Sequence, residues 1–167
     1  MTDFEVHINL GGQTRRVGLA RSNRVRGNET VLFEYAPEWL TDANGFSLEP
    51  ALSLGRGAFA PPAGQAMFGA IGDSAPDTWG RRLMQRAERR RAAAESQAVR
   101  ALTESDYLLG VADETRLGAL RFRKVGGAAF EAPLTTGVPA LLELGRLLSI
   151  TERILRDEET DDDLTVI

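Results

Sequence analysis

Gly11 and Gly12 stand between two runs with the alternation of a half-buried strand, and this arrangement constrains the fold more than any other local feature. Phe4 to Leu10 (FEVHINL) alternates apolar and polar residues, and an extended run follows from Gln13 to Ala20. A tight hairpin turn needs positive φ, which glycine adopts without steric cost, so the pair of glycines predicts an antiparallel β-hairpin. Thr30 to Tyr35 (TVLFEY) predicts a third strand, ended by Pro37, with one helical turn over Glu38 to Leu40.

Beyond this β unit the pattern turns helical. Asn44 to Gln65 is rich in Gly, Pro and Ala and predicts mainly loop with short extended pieces. Within it Gly55 to Ala60 (GRGAFA) has the spacing of a dinucleotide-binding loop, but such a loop must open a helix, and Pro61-Pro62 forbids one. Ser74-Ala75-Pro76-Asp77 predicts a capping-box start for a helix reaching about Ala94, with Trp79, Leu83 and Ala87 on one face and Met84 beside them. Thr103 and Asp106 repeat the capping pattern for a shorter helix through Tyr107, Leu108 and Leu109. Leu117 to Arg123 returns to strand alternation, with Leu120 and Phe122 on one face. The Gly, Ala and Pro between Val125 and Val138 mark a boundary, and Pro139 opens a third helix with a stripe of Leu141, Leu144, Leu148 and Leu155 to about Asp157.

The 167 residues can bury one real core. No apolar run reaches bilayer-spanning length, the first ten residues lack the pattern of a secretion signal, and there is no cysteine, which together predict a cytoplasmic protein without disulfides. The net charge of −4 conceals an asymmetry. Seven arginines and two glutamates lie between Arg81 and Arg100, whereas six acids and no base lie between Asp157 and Asp163.

The residues that could carry chemistry mostly have structural explanations. His7, the sole histidine, sits inside a predicted strand, and no Ser or Thr has the context of an activated nucleophile. Glu158, Glu159, Asp161, Asp162 and Asp163 lack the alternation and central glycine of a calcium loop, so no metal site is expected. Asp77 suits a helix start, where the macrodipole favours an acid, and Asp73 suits the preceding turn. Arg81, Arg82, Arg86, Arg89, Arg90, Arg91 and Arg100 could meet phosphates, but without interleaved aromatics they are expected to form a solvated or protein-contacting face.

Two dense blocks, MFGAIGDSAPDTWGRRL (Met67 to Leu83) and SDYLLGVADETRLGALRF (Ser105 to Phe122), resemble the N-terminal region of HipA-like serine/threonine kinases, the toxin halves of bacterial toxin–antitoxin pairs. FEYAPEWL (Phe33 to Leu40) and SLEPALSL (Ser47 to Leu54) resemble further pieces of that region, so the similarity spans nearly the whole chain; Gly72 stands where many relatives have proline. The resemblance implies structural or interface roles for Asp73, Pro76, Asp77, Trp79, Gly80, Arg81 and Arg82 in the first block. It implies the same for Asp106, Tyr107, Gly118, Ala119, Leu120 and Phe122 in the second. In this family the glycine-rich ATP loop, catalytic aspartate and magnesium ligands lie further along than Ile167. ATP and magnesium are thus implied only for a full-length kinase, and no catalytic, cofactor-binding or metal-binding residue is expected here.

The expected fold is α+β: a small antiparallel β unit with the Ser74 and Thr103 helices packed on it, followed by a helix that begins the kinase portion. The expected organisation is an N-terminal subdomain over 1–124, a linker over 125–137 and the start of the kinase portion over 138–167. The expected function is the non-catalytic N-terminal part of a HipA-like kinase toxin, contributing to the kinase N-lobe and to binding of a helix-turn-helix, HipB-like antitoxin. The family's best-understood substrates are aminoacyl-tRNA synthetases. The alternative is a stand-alone, antitoxin-like protein acting on a separately encoded HipA-like kinase. A second copy of the chain could cover the Pro139 helix as a homodimer, while a membrane role is not expected and direct nucleic-acid binding is the weakest reading.

Overall fold

The computed structural model describes residues 2–25, 27–131 and 156. The predicted hairpin is present: β1 (Asp3–Leu10) and β2 (Gln13–Val25) pair antiparallel, closing with Leu10 opposite Gln13. Gly11 and Gly12 take φ of 58° and 78°, the double positive-φ turn that matches the strands' right-handed twist. β3 (Asn28–Tyr35) pairs with β2, and β5 (Leu120–Lys124) pairs with the other side of β1. The two-residue β4 (Ala58–Phe59) completes a five-stranded antiparallel sheet in the order β4-β3-β2-β1-β5. With its helices, this is a small α+β fold. Ala58 and Phe59 come from the glycine-rich loop, which gives a strand on the edge of the sheet rather than a phosphate-binding turn.

β2 runs further than the sequence alternation suggests and carries an irregularity. Val6 pairs with Gly18 while His7 pairs with Arg16, so Val17 has no partner across the ladder. This extra residue is a β-bulge. It buries Val17 completely, and the Val17 carbonyl accepts the Ala36 amide where β3 hands over to α1 (Pro37–Thr41).

One face of the sheet carries Phe4, Val6, Ile8, Phe33, Tyr35, Leu120 and Phe122 into the core. Trp39 of α1, Ile71 of α2 (Gly69–Gly72) and Leu108 and Leu109 of α4 (Glu104–Leu109) complete it. Fully burying such side chains contributes about 1.5–3 kcal/mol each, before the entropy cost of ordering them. The loop that follows α1 is held by two aromatic polar tips. Trp39 Nε1 donates to the Phe46 carbonyl at 3.1 Å. Tyr35 Oη donates to the Leu52 carbonyl at 2.7 Å and accepts the Leu48 amide at 3.1 Å.

The chain divides into two compact units: one runs to Ala75 and resumes at Thr103, and the other holds Pro76–Leu102. In the second unit the long helix α3 (Thr78–Ala94) is capped three residues later than predicted. Its N-cap is Asp77, not Ser74, and the Asp77 carboxylate accepts the Gly80 amide at 2.9 Å. Proline disfavours helical backbone in the residue before it, so a helix cannot run smoothly from Ser74 through Pro76, and Asp77 is the next residue able to cap. Ser74 instead belongs to the turn that leaves α2, its amide bonded to the Ile71 carbonyl.

The buried side of α3 also departs from the predicted stripe. Trp79, Leu83 and Met84 are half-buried, but Ala87 is exposed, and Glu88 and Ala92 are the buried residues. Glu88 can be buried because Arg91 grips it at 2.7 and 3.0 Å and the Arg100 amide donates to it at 3.2 Å. The Arg91 hydrogen bonds outweigh burial and hold the Glu88 carboxyl well below the usual carboxylate range.

At the far end, Gln97 N donates to the Ala92 carbonyl at 2.8 Å and Ser96 N to the Ala93 carbonyl at 3.2 Å, the double bond of a Schellman cap. The residue in left-handed conformation is Ser96, at φ 51°, where most such caps use glycine. Ser96→Gly is expected to stabilise the protein by about 0.5–1 kcal/mol, read from a denaturant midpoint that rises with unchanged slope.

The predicted helix from Pro139, its leucine stripe, the acidic run and most of the predicted linker lie outside the described residues. Among the described residues no helix is long and apolar enough to cross a membrane.

Candidate functional site

The two sequence blocks supply the elements around which the structure organises its polar contacts. The predicted capping box at Thr103 is complete. Thr103 Oγ1 accepts the Asp106 amide at 3.2 Å, and the Asp106 carboxylate accepts the Thr103 amide at 2.9 Å. Glu29 of β3 fastens the same helix start to the sheet, accepting the Ser105 amide at 3.1 Å and the Ser22 hydroxyl at 2.5 Å. The cap sets the direction of α4, and Tyr107, Leu108 and Leu109 are then all buried.

The chain next turns through a short 3-10 segment, Asp113–Thr115, and Arg116 folds back beneath it. Arg116 is 5 % exposed. Its Nη1 donates to the Ser74 carbonyl at 3.0 Å and the Leu108 carbonyl at 2.9 Å. Its Nη2 donates to the Val111 carbonyl at 2.7 Å and the Glu131 carbonyl at 3.4 Å. The guanidinium lies 4.7 Å from the centre of the Phe122 ring, within the range of a cation–π contact. Burial lowers the Arg116 pKa to about 10, against the pull of Asp113, so the side chain stays charged at neutral pH. One cation thus ties together four stretches of backbone: the exit of α2, the body of α4, the loop after α4, and the segment after β5.

Gly118, at φ 83°, turns the chain into β5, and the Ala119 carbonyl accepts the Asn9 amide at 2.8 Å. Leu120 and Phe122 then enter the core, with Phe122 edge-on to Phe4 at 5.9 Å. With Arg116 pinned below and Gly118 turning above, Leu117 between them is 84 % exposed.

The expected residues of the first block fall on both sides of the unit division. Asp73 is the exposed C-cap of α2, in the unit that also holds the second block. Pro76, Asp77, Trp79, Gly80, Arg81 and Arg82 belong to the other unit and build the start of α3. A Cβ on Gly80 would lie 2.7 Å from Pro76 Cβ, so this turn closes only with glycine. Arg81 Nε donates to the Pro76 carbonyl at 3.2 Å. Trp79 and Arg82 are half-buried on the same helix.

The sequence reading did not single out Arg116, although it lies within the second block. A lone arginine between two acids and a glycine carries no periodic signal of burial, because it is buried only once the Ser74 and Glu131 carbonyls, 42 and 15 residues away, close on it.

His7 is a strand residue, as the alternation predicts, and it is buried on the face of the sheet opposite the core. Its Nε2 lies 3.2 Å from Glu5, which also accepts Arg123 Nε at 2.9 Å and pairs with Arg16 at 3.4 Å. Burial raises the Glu5 pKa, but the hydrogen bonds from Arg123 and His7 prevail and the net shift is downward. The Phe130 ring stands edge-on to His7, at 5.2 Å and 78°.

Compared with known proteins, the chain matched no family model and none of the curated proteins.

Proposed function

We propose that these residues form the non-catalytic N-terminal portion of a HipA-like serine/threonine kinase toxin, a scaffold that joins the kinase N-lobe and offers a surface to a helix-turn-helix, HipB-like antitoxin. What supports this is the use to which the two resembling blocks are put: their polar residues make caps, turns and carbonyl clamps. Asp77, Gly80 and Arg81 build a helix start, Thr103 and Asp106 build another, and Arg116 gathers four carbonyls.

In this reading ATP and magnesium belong to the kinase portion, whether on the same chain or a separate one, and the protein is cytoplasmic. Co-expression tests it. The 167-residue chain, produced with a HipA-like kinase portion as a separate polypeptide and with the small helix-turn-helix protein encoded beside it, is expected to co-purify with at least one of them in fixed stoichiometry. Recovery of the chain alone, folded and free of both, would contradict the proposal.

A further inference from the structure

We propose that protonation of His7 acts as an acid-operated release for the segment that follows β5, residues 126–131, which covers the charged face of the sheet. The segment is held by a small set of bonds. The Gly127 amide donates to the Lys124 carbonyl at 2.8 Å, and the Glu131 amide to the Phe122 carbonyl at 2.9 Å. Lys124 Nζ pairs with the Glu131 carboxylate at 3.1 Å, and Arg116 reaches the Glu131 carbonyl at 3.4 Å. Phe130 lies between them, its ring against His7 and 5.8 Å from the Arg123 guanidinium.

The groups around His7 explain why a charge there is unwelcome. From β1, Glu5 is the single acid in contact with it. From β2, Arg16 already holds that acid and is itself paired with Glu38 of α1 at 3.4 Å. From β5, Arg123 grips the same acid, and Arg121, opposite His7 in the strand register, is paired with Asp113 at 3.5 Å. A protonated His7 would be the third cation on one carboxylate, at a site 7 % exposed. Burial, with help from Arg123 and Arg16, accordingly holds the His7 pKa below its ordinary value, although the hydrogen bond His7 donates to Glu5 pulls the other way.

Hydrating the ring relieves the charge. β1 is held by its pairing with β2, interrupted at Val17, and by its pairing with β5, whereas the cover is tied to β5 by far fewer bonds, so the cover is what opens. The sign follows from the direction of the shift. Closed-state stability is complete above about pH 6.5, the value for a free histidine, and is lost as pH falls through the lower value of the closed state.

Because the chain has one histidine, its imidazole proton resonance reports this titration directly. The test follows that resonance and the hydrogen-exchange protection of the Glu131 amide from pH 7.5 to 5.0, in the wild type and in His7→Gln, which keeps a donor for Glu5 but cannot titrate. The expected result is a protection factor that falls in the wild type over the pH range in which the imidazole titrates, below about 6.5, and stays flat in the variant. Equal loss of protection in His7→Gln overturns the proposal, as does constant protection in the wild type. If the variant fails to fold, the wild-type curves decide: an imidazole midpoint at or above 6.5, or one that does not coincide with loss of Glu131 protection, overturns it.

Discussion

Arg116→Ala is expected to destabilise the protein by about 3–5 kcal/mol, the largest loss from any single truncation of a polar side chain in the described fold. The guanidinium serves four carbonyls, those of Leu108 and Val111 nearby in sequence and those of Glu131 and Ser74 further off, the last 42 residues away. Truncation leaves the Ser74 and Leu108 carbonyls buried without a donor, each at a cost of about 1–3 kcal/mol, and also removes the stacking on Phe122. Arg116→Lys keeps the charge but loses the planar fork, so it should lose roughly half as much. Urea unfolding monitored by circular dichroism measures both. An alanine variant within about 0.5 kcal/mol of wild type would show that the clamp does not organise the fold.

Gly18→Ala is the second substitution with a large expected effect. A Cβ on Gly18 would sit 2.3 Å from the Glu34 carbonyl oxygen and 2.5 Å from Phe33 Cζ. Neither neighbour can give way cheaply, because Glu34 is paired in the β2–β3 ladder and Phe33 is fully buried. The overlap must be relieved by moving a strand, at a cost of about 3 kcal/mol or more. Gly11→Ala is the control. There a Cβ meets nothing within 4 Å and only the positive φ of 58° is strained, so the loss should be about 1 kcal/mol. Equal losses at the two positions would mean that backbone conformation, rather than close approach, is what glycine provides at Gly18.

The parts of this fold legible in the sequence are those determined by neighbours along the chain. The β1–β2 hairpin follows from a double glycine between alternating runs, β3 from TVLFEY, and the α4 cap from Thr103 and Asp106, because each is settled within a few residues. The start of α3 is ambiguous in the sequence because Ser74-Ala75-Pro76-Asp77 offers two capping residues, and only the constraint that Pro76 imposes on Ala75 chooses between them. Its buried side was misread because apolar spacing cannot anticipate a glutamate made welcome by Arg91 and the Arg100 amide. The β5–β1 pairing brings Arg123 to Glu5 across 118 residues, and nothing local encodes it. Arg116 and His7 share that difficulty. Each takes its environment from several separate segments, so its residue type and immediate neighbours say little about its role.

If the proposed function holds, these residues supply architecture and a binding surface, and phosphoryl transfer is performed by residues other than these. The most direct measurement incubates the purified 167-residue chain with magnesium and radiolabelled ATP and follows label incorporated into protein. The account predicts incorporation no higher than in a heat-inactivated control. Incorporation above that level, abolished by changing one of the chain's own side chains such as Asp73 or Asp77 to the amide while circular dichroism remains unaltered, would contradict it.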